Sequence, residues 1–227
     1  MEQRNAREGA GSTGTFITFE GGDGVGKSTH IGLLAEALER HGYEVVSVRE
    51  PGGTAIGEAL RALVLDPAND SMAPATELLV YEAARAQIAA EVIAPALARG
   101  AVVLCDRFFD STVAYQAFAR GLDRGFVEAA NRFAAGGLVP DRTLLLVCGE
   151  ASVGLDRAQG HAAPDRLEQE GVAFHQRVAE GFAAIAQEDP ARVRVIDSRG
   201  DRAATARAIA AALADLFPWM AEEVACG

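Results

Sequence analysis

Three cysteines in 227 residues, Cys105, Cys148 and Cys226, are too few and too irregularly spaced for a disulfide framework or a zinc site. Two of them lie in apolar, strand-like runs, so they read as buried thiols of a reducing compartment, the cytoplasm. No apolar run approaches the length needed to span a membrane. Positive charge is also short. Lys and Arg total 21 against 32 Asp and Glu, and the net charge of −11 argues against broad contact with a nucleic-acid backbone, leaving room for a local basic pocket. The four histidines do not cluster, and none reads as a catalytic base. Residues 1–14 lack the apolar stretch of a secretory leader and read as a polar, glycine-rich, disordered tail. With 49% hydrophobic and 23% charged residues the chain is of soluble globular type. No repeat or second apolar core divides the remainder, so 15–220 reads as one domain.

What is present begins at Phe16-Ile-Thr-Phe-Glu-Gly-Gly-Asp-Gly-Val-Gly-Lys-Ser-Thr29. An alternating apolar strand runs into a glycine turn, and an amphipathic helix (Ile31, Leu33, Leu34, Leu38) follows. Gly21, Gly26, Lys27 and Ser28 fit G-x-x-x-x-G-K-[ST], the phosphate-binding loop. Gly21, Gly22, Gly24 and Gly26 allow positive φ and let phosphate approach bare backbone. Successive N–H groups and the helix N-terminus behind them form an anion-binding concavity. In such a loop Lys27 reaches the β- and γ-phosphates and the Ser28 hydroxyl ligates Mg²⁺.

Beyond the loop, strands alternate with helices. Strands are expected at 44–49, 101–105, 143–148 and 193–196. Helices are expected from Thr54, a plausible N-cap, to Leu65; from Pro74 to Arg99 with a bend near Pro95; at about 111–119, 123–135 and 165–187; and from Arg202 to Leu216. Another begins near Ala151, and Gln159–Pro164 breaks the pattern. The continuous apolar run at 101–105 implies a strand covered on both faces. The pattern predicts an α/β fold, a doubly wound five-stranded parallel sheet flanked by helices, with ligands at the carboxyl ends of the strands.

Several charged and polar residues fall at those ends. Asp106 closes an apolar strand, the context of a carboxylate that holds Mg²⁺ through water. Arg107 beside it offers a planar fork for phosphate or carboxylate. Tyr81 and Arg85 are four apart on one helix face, as are Thr112 and Gln116 on another. The first pair suits stacking on a base and bonding its edge; the second supplies donor and acceptor together. Taken alone, each pair reads more readily as ordinary packing and surface polarity. The segment at about 156–166, with Arg157, His161 and Arg166, reads as a lid that carries arginine over a transferring phosphate, with a solvated loop as the competing reading.

Taken together, FEGGDGVGKST (19–29), REPGGT (49–54), YEAARAQ (81–87), DRFFDSTVAYQ (106–116), PDRTLLL (140–146) and DRLEQE (165–170) resemble the bacterial thymidylate kinase family over roughly residues 15–215. The resemblance implies phosphorylation of dTMP to dTDP by ATP with Mg²⁺, and a homodimer with no nucleic-acid or membrane partner. It implies that Gly21, Gly22, Asp23, Gly24, Val25, Gly26, Lys27, Ser28 and Thr29 hold ATP, and that Ser28 and Asp106 serve the metal. Asp23 would also take the dTMP 3′-hydroxyl, while Arg49 and Arg107 would grip its phosphate. Tyr81, where the family commonly has Phe, would stack on thymine; Arg85 would reach O4; Thr112 and Gln116 would read the remaining edge. Gly24 carries no charge, which implies that the catalytic arginine sits in the lid, with Arg157 the candidate beside Lys27, Arg107 and Asp106. Two other classes share parts of this pattern. A deoxynucleoside kinase would need a carboxylate base such as Glu50. A GTPase-type switch would need an N-K-x-D motif, and none follows a later strand.

Overall fold

The computed structural model describes residues 14–149 and 164–226. Five strands, β1 (Thr15–Glu20), β2 (Val45–Arg49), β3 (Val102–Asp106), β4 (Arg142–Val147) and β5 (Val193–Asp197), form one sheet in the order β2-β3-β1-β4-β5. Every pairing is parallel. The helices are α1 (Lys27–Arg40), α2 (Ala55–Leu65), α3 (Pro74–Ile88), α4 (Ala94–Ala98), α5 (Phe109–Thr112), α6 (Arg124–Ala134), α7 (Val172–Glu188), α8 (Arg202–Leu213) and α9 (Trp219–Cys226).

The sheet is buried on both faces, which is why its strands read as continuous apolar runs. Val102 and Leu104 of β3 join Ile17, Phe19, Leu144 and Leu146 in a core closed by α1, α8 and α9. The alternate residues Val103 and Cys105 face the other way, with Phe16, Ile88, Ile93 and Phe108. Beside that second layer, Leu145 and Val193 pack under Phe174, Val178 and Phe182 of α7. The period of two along each strand thus assigns successive side chains to opposite layers.

Thr54 caps α2 as expected, its Oγ1 accepting from Gly57 N at 2.9 Å. The helix expected over 74–99 is present, but its irregularity is a π-turn at Ala89–Ile93, just before Pro95. The helix expected to open at Asp165 opens at Val172 instead. Asp165 makes a turn, its Oδ1 accepting from Leu167 N and Glu168 N, both at 2.9 Å. This local bonding competes with helix, a habit of aspartate. α9 was not expected from sequence; Trp219 stacks on the His41 ring at 3.6 Å, and Met220 joins the core under α1.

Candidate active site

The loop after β1 stands where the strand order reverses, between β3 and β4, the position at which open parallel sheets bind ligands. Gly21 has φ 126°, and a Cβ there would lie 2.3 Å from Leu146 O, so only glycine fits. Gly26, at φ 95°, caps α1. Lys27 folds over its own loop, Nζ donating to Gly22 O at 2.7 Å and Gly21 O at 3.2 Å. Burial, aided by the Arg107 cation, draws its pKa down to about 8. Ser28 Oγ donates to Asp106 Oδ2 at 3.0 Å, joining the loop to the end of β3. Gly24, Gly26, Thr29, Arg49 and Arg107 line the same open cavity.

Arg107 stands at the border of this cavity and a second cleft. Its φ of 68° is left-handed, and it is the one non-glycine residue in that state among the described residues. Its guanidinium donates to Gly21 O at 2.9 Å and to Asp23 Oδ1 at 2.6 Å. Burial pushes the Asp23 carboxyl up, but Arg107 and Lys27 outweigh it and hold it below the usual range.

The second cleft is lined by Tyr81, Arg85, Thr112 and Gln116 together, with Glu50, Pro51, Tyr115, Asp165 and Glu168 around them. The two helical pairs singled out by spacing therefore face one space. Arg85 is 2% exposed. Its Nε and one terminal nitrogen meet Glu50 Oε2 at 2.9 and 2.8 Å. The other nitrogen meets Glu82 at 3.0 Å and Asn131 Oδ1 at 2.7 Å. This leaves one N–H of the fork for the cleft. Burial, with Glu82 adding repulsion and Arg85 opposing, raises the Glu50 carboxyl to about 7. Gln116 Nε2 donates to Glu77 Oε1 at 2.8 Å, which leaves its amide oxygen as an acceptor.

Arg49 sits at the rim, half-exposed and paired with Glu58 at 2.9 Å. Arg166 was expected at the lid. It is 6% exposed and turned inward, donating to Val64 O at 2.9 Å and to Glu77 Oε2 at 2.6 Å. The fully buried Glu77 attracts it, since a carboxylate there requires cations around it. Arg157, His161 and the rest of the expected lid up to residue 163, the helix near Ala151 and the tail to residue 13 lie outside the described residues. Sequence reasoning missed Glu77. Ser111, Tyr115, Asp165 and Glu168 were not singled out, although each lies within a quoted motif, which was the available signal.

Parallel sheet, strand order, phosphate loop and adjoining cleft define an α/β P-loop kinase of the nucleoside monophosphate type. The family model described as thymidylate kinase matches residues 19–209. The chain is 51% identical over 211 residues to a thymidylate kinase of Geobacter sulfurreducens, covering 90% of this chain and 99% of that one. It is 52% identical over 204 residues to one of Gloeobacter violaceus, covering 89% and 95%. Among solved structures it is similar to thymidylate kinase from Ehrlichia chaffeensis, with a TM-score of 0.67, 33% identity and coverage of 83% and 89%. The chain belongs to the thymidylate kinase family, which phosphorylates dTMP to dTDP using ATP.

Proposed function

We propose that this chain works as a Mg²⁺-dependent dTMP kinase, a cytoplasmic homodimer with one kinase domain over 15–220 and a lid beginning near residue 156. The observation that carries the reading is the meeting of two spaces at one ion pair. The glycine-loop cavity and the Tyr81–Arg85–Thr112–Gln116 cleft share the Asp23–Arg107 pair, flanked by Glu50, Arg61 and Glu168.

ATP phosphates lie along residues 21–29, with Lys27 swinging from its loop carbonyls to the β- and γ-oxygens. The acceptor base lies in the cleft, stacked on Tyr81, with O4 at the free N–H of Arg85 and the rest of its edge at Thr112 and the Gln116 amide oxygen. Asp23 takes the sugar 3′-hydroxyl. Arg107 and Arg49 hold the acceptor phosphate. One of its oxygens, already largely anionic at neutral pH, attacks the γ-phosphorus in line, and the bond to the β-bridging oxygen breaks to leave ADP. No strong base is required. Lys27, Arg107 and the lid arginine Arg157, assigned from sequence alone, neutralise charge as it shifts.

For the metal, the donor set is a hydroxyl and a carboxylate at Ser28 and Asp106. Among the described residues no group of three His, Cys, Asp or Glu is placed to hold an ion by itself. Two hard oxygens beside a polyphosphate cavity fit Mg²⁺, which keeps waters and takes phosphate oxygens. Held there by Ser28 and Asp106, it would supply positive charge that offsets the charge of the phosphate oxygens.

Exposed apolar side chains support pairing of two copies. Phe126 and Phe133, seven apart on α6, are 59% and 89% exposed, and Leu79 of the adjoining α3 is 58% exposed. The free buried thiols of Cys105 and Cys148 suit a reducing compartment. ADP release measured with dTMP, dUMP, dCMP and AMP tests the activity. A clear preference for dTMP is expected, and equal use of the four acceptors refutes it.

A further inference from the structure

We propose that Glu20 is a positioning residue for the acceptor-phosphate grip, holding the backbone and the fork of Arg107 in place from beneath. This rests on the phosphate-binding role given to Arg107 above. Glu20 ends β1, is fully buried and lines neither nucleotide space. Its Oε1 accepts from Phe108 N at 2.8 Å and Ser111 N at 3.3 Å. Its Oε2 accepts from Ser111 Oγ at 2.6 Å. Phe108 N belongs to the peptide that immediately follows Arg107, so this bond fixes the exit from the left-handed residue. Ser111 Oγ in turn accepts from the Arg107 guanidinium at 3.3 Å. One carboxyl group therefore acts on Arg107 twice, through the main chain and through a hydroxyl.

Other bonds complete the clamp. Arg107 N donates to Phe19 O at 2.9 Å, and Cys105 Sγ donates to Arg107 O at 2.9 Å. A non-glycine residue keeps a left-handed conformation only where its surroundings over-determine it. Every hydrogen-bond partner of the Glu20 side chain lies in the segment 108–111 that immediately follows this residue. An apolar side chain would fill the same space but leave Phe108 N–H and the Ser111 hydroxyl proton without an acceptor, while Ser111 N keeps its bond to Phe108 O at 3.1 Å. The bonds do not need negative charge. A glutamine amide offers its oxygen to both N–H groups and its N–H to Ser111 Oγ.

The test uses the full chain with Glu20→Leu, Glu20→Gln, Arg107→Ala and the Leu/Ala double variant. Calorimetry measures binding of dTMP and of thymidine, which lacks the phosphate. E20L is expected to weaken dTMP by about tenfold or more while thymidine stays within about twofold. E20Q recovers most of the loss, and E20L adds little on top of R107A. Loss of dTMP and thymidine binding in equal proportion, or unchanged dTMP binding in E20L, overturns the proposal. If E20L does not fold, Ser111→Ala replaces it, removing only the hydroxyl relay; a phosphate-selective loss supports the link and none overturns it. R107A that binds dTMP as the unaltered chain does brings down the reading of Arg107 itself, whereas a weakened R107A beside a normal E20L sinks only the Glu20 link.

Discussion

Arg85 gives most of its guanidinium to Glu50, Glu82 and Asn131, and one N–H to the cleft. Arg85→Ala should therefore do two things. It should raise KM for dTMP, and it should lower stability by about 3–5 kcal/mol, because two buried carboxylates lose their cation. Urea unfolding alongside steady-state kinetics separates the two effects, and an unaltered KM would remove Arg85 from the base pocket. Lys27→Ala should lower kcat by about 10²-fold or more with little change in Tm, since its charge acts on the transferring phosphate. Glu20 gives a pH signature. Burial and the nearby Asp110 raise its pKa from 4.5 to about 7. The folded chain thus keeps a proton that the unfolded chain releases, and stability from this group, full below about pH 4.5, is lost as pH rises to about 7. Stability of the unaltered chain relative to E20Q should fall by about 3 kcal/mol across that window, as urea titrations at several pH values would report. Four-residue spacing, a local rule, put Tyr81 with Arg85 and Thr112 with Gln116 on shared helix faces, and the family resemblance gave those pairs their weight as site candidates. Glu77 was not legible, because its partners Gln116, Arg120 and Arg166 stand 39, 43 and 89 residues away.

The strands were the most legible elements, since burial on both faces leaves unbroken apolar runs such as Val102–Cys105. Strand order was not legible, because it is set by how crossovers pack rather than by any one run. Caps were partly legible. Thr54 announced α2, whereas Asp165 resembled a helix start and instead bonds its own neighbouring amides. Thr54→Ala should destabilise the fold by about 1 kcal/mol through the freed Gly57 N–H, which thermal unfolding would measure. α9 was missed because its eight residues are too few for a period and Pro218 just before it reads as an ending.

At the scale of the whole molecule, a net charge of −11 disperses the chain, while α6 and α3 expose Phe126, Phe133 and Leu79. If two copies pair through this face as proposed, Phe133→Glu should shift the dimer to monomer in sedimentation velocity without changing the fold. α3 is a party wall. Tyr81 and Arg85 face the second cleft from it, and Leu79 is exposed on the same helix. If two copies pair on its outer side as proposed, whatever steadies one side of that wall steadies the other, and ligand and neighbour reinforce each other by mass action. Diluting the enzyme should then loosen its hold on dTMP, and dTMP should draw dilute monomers together.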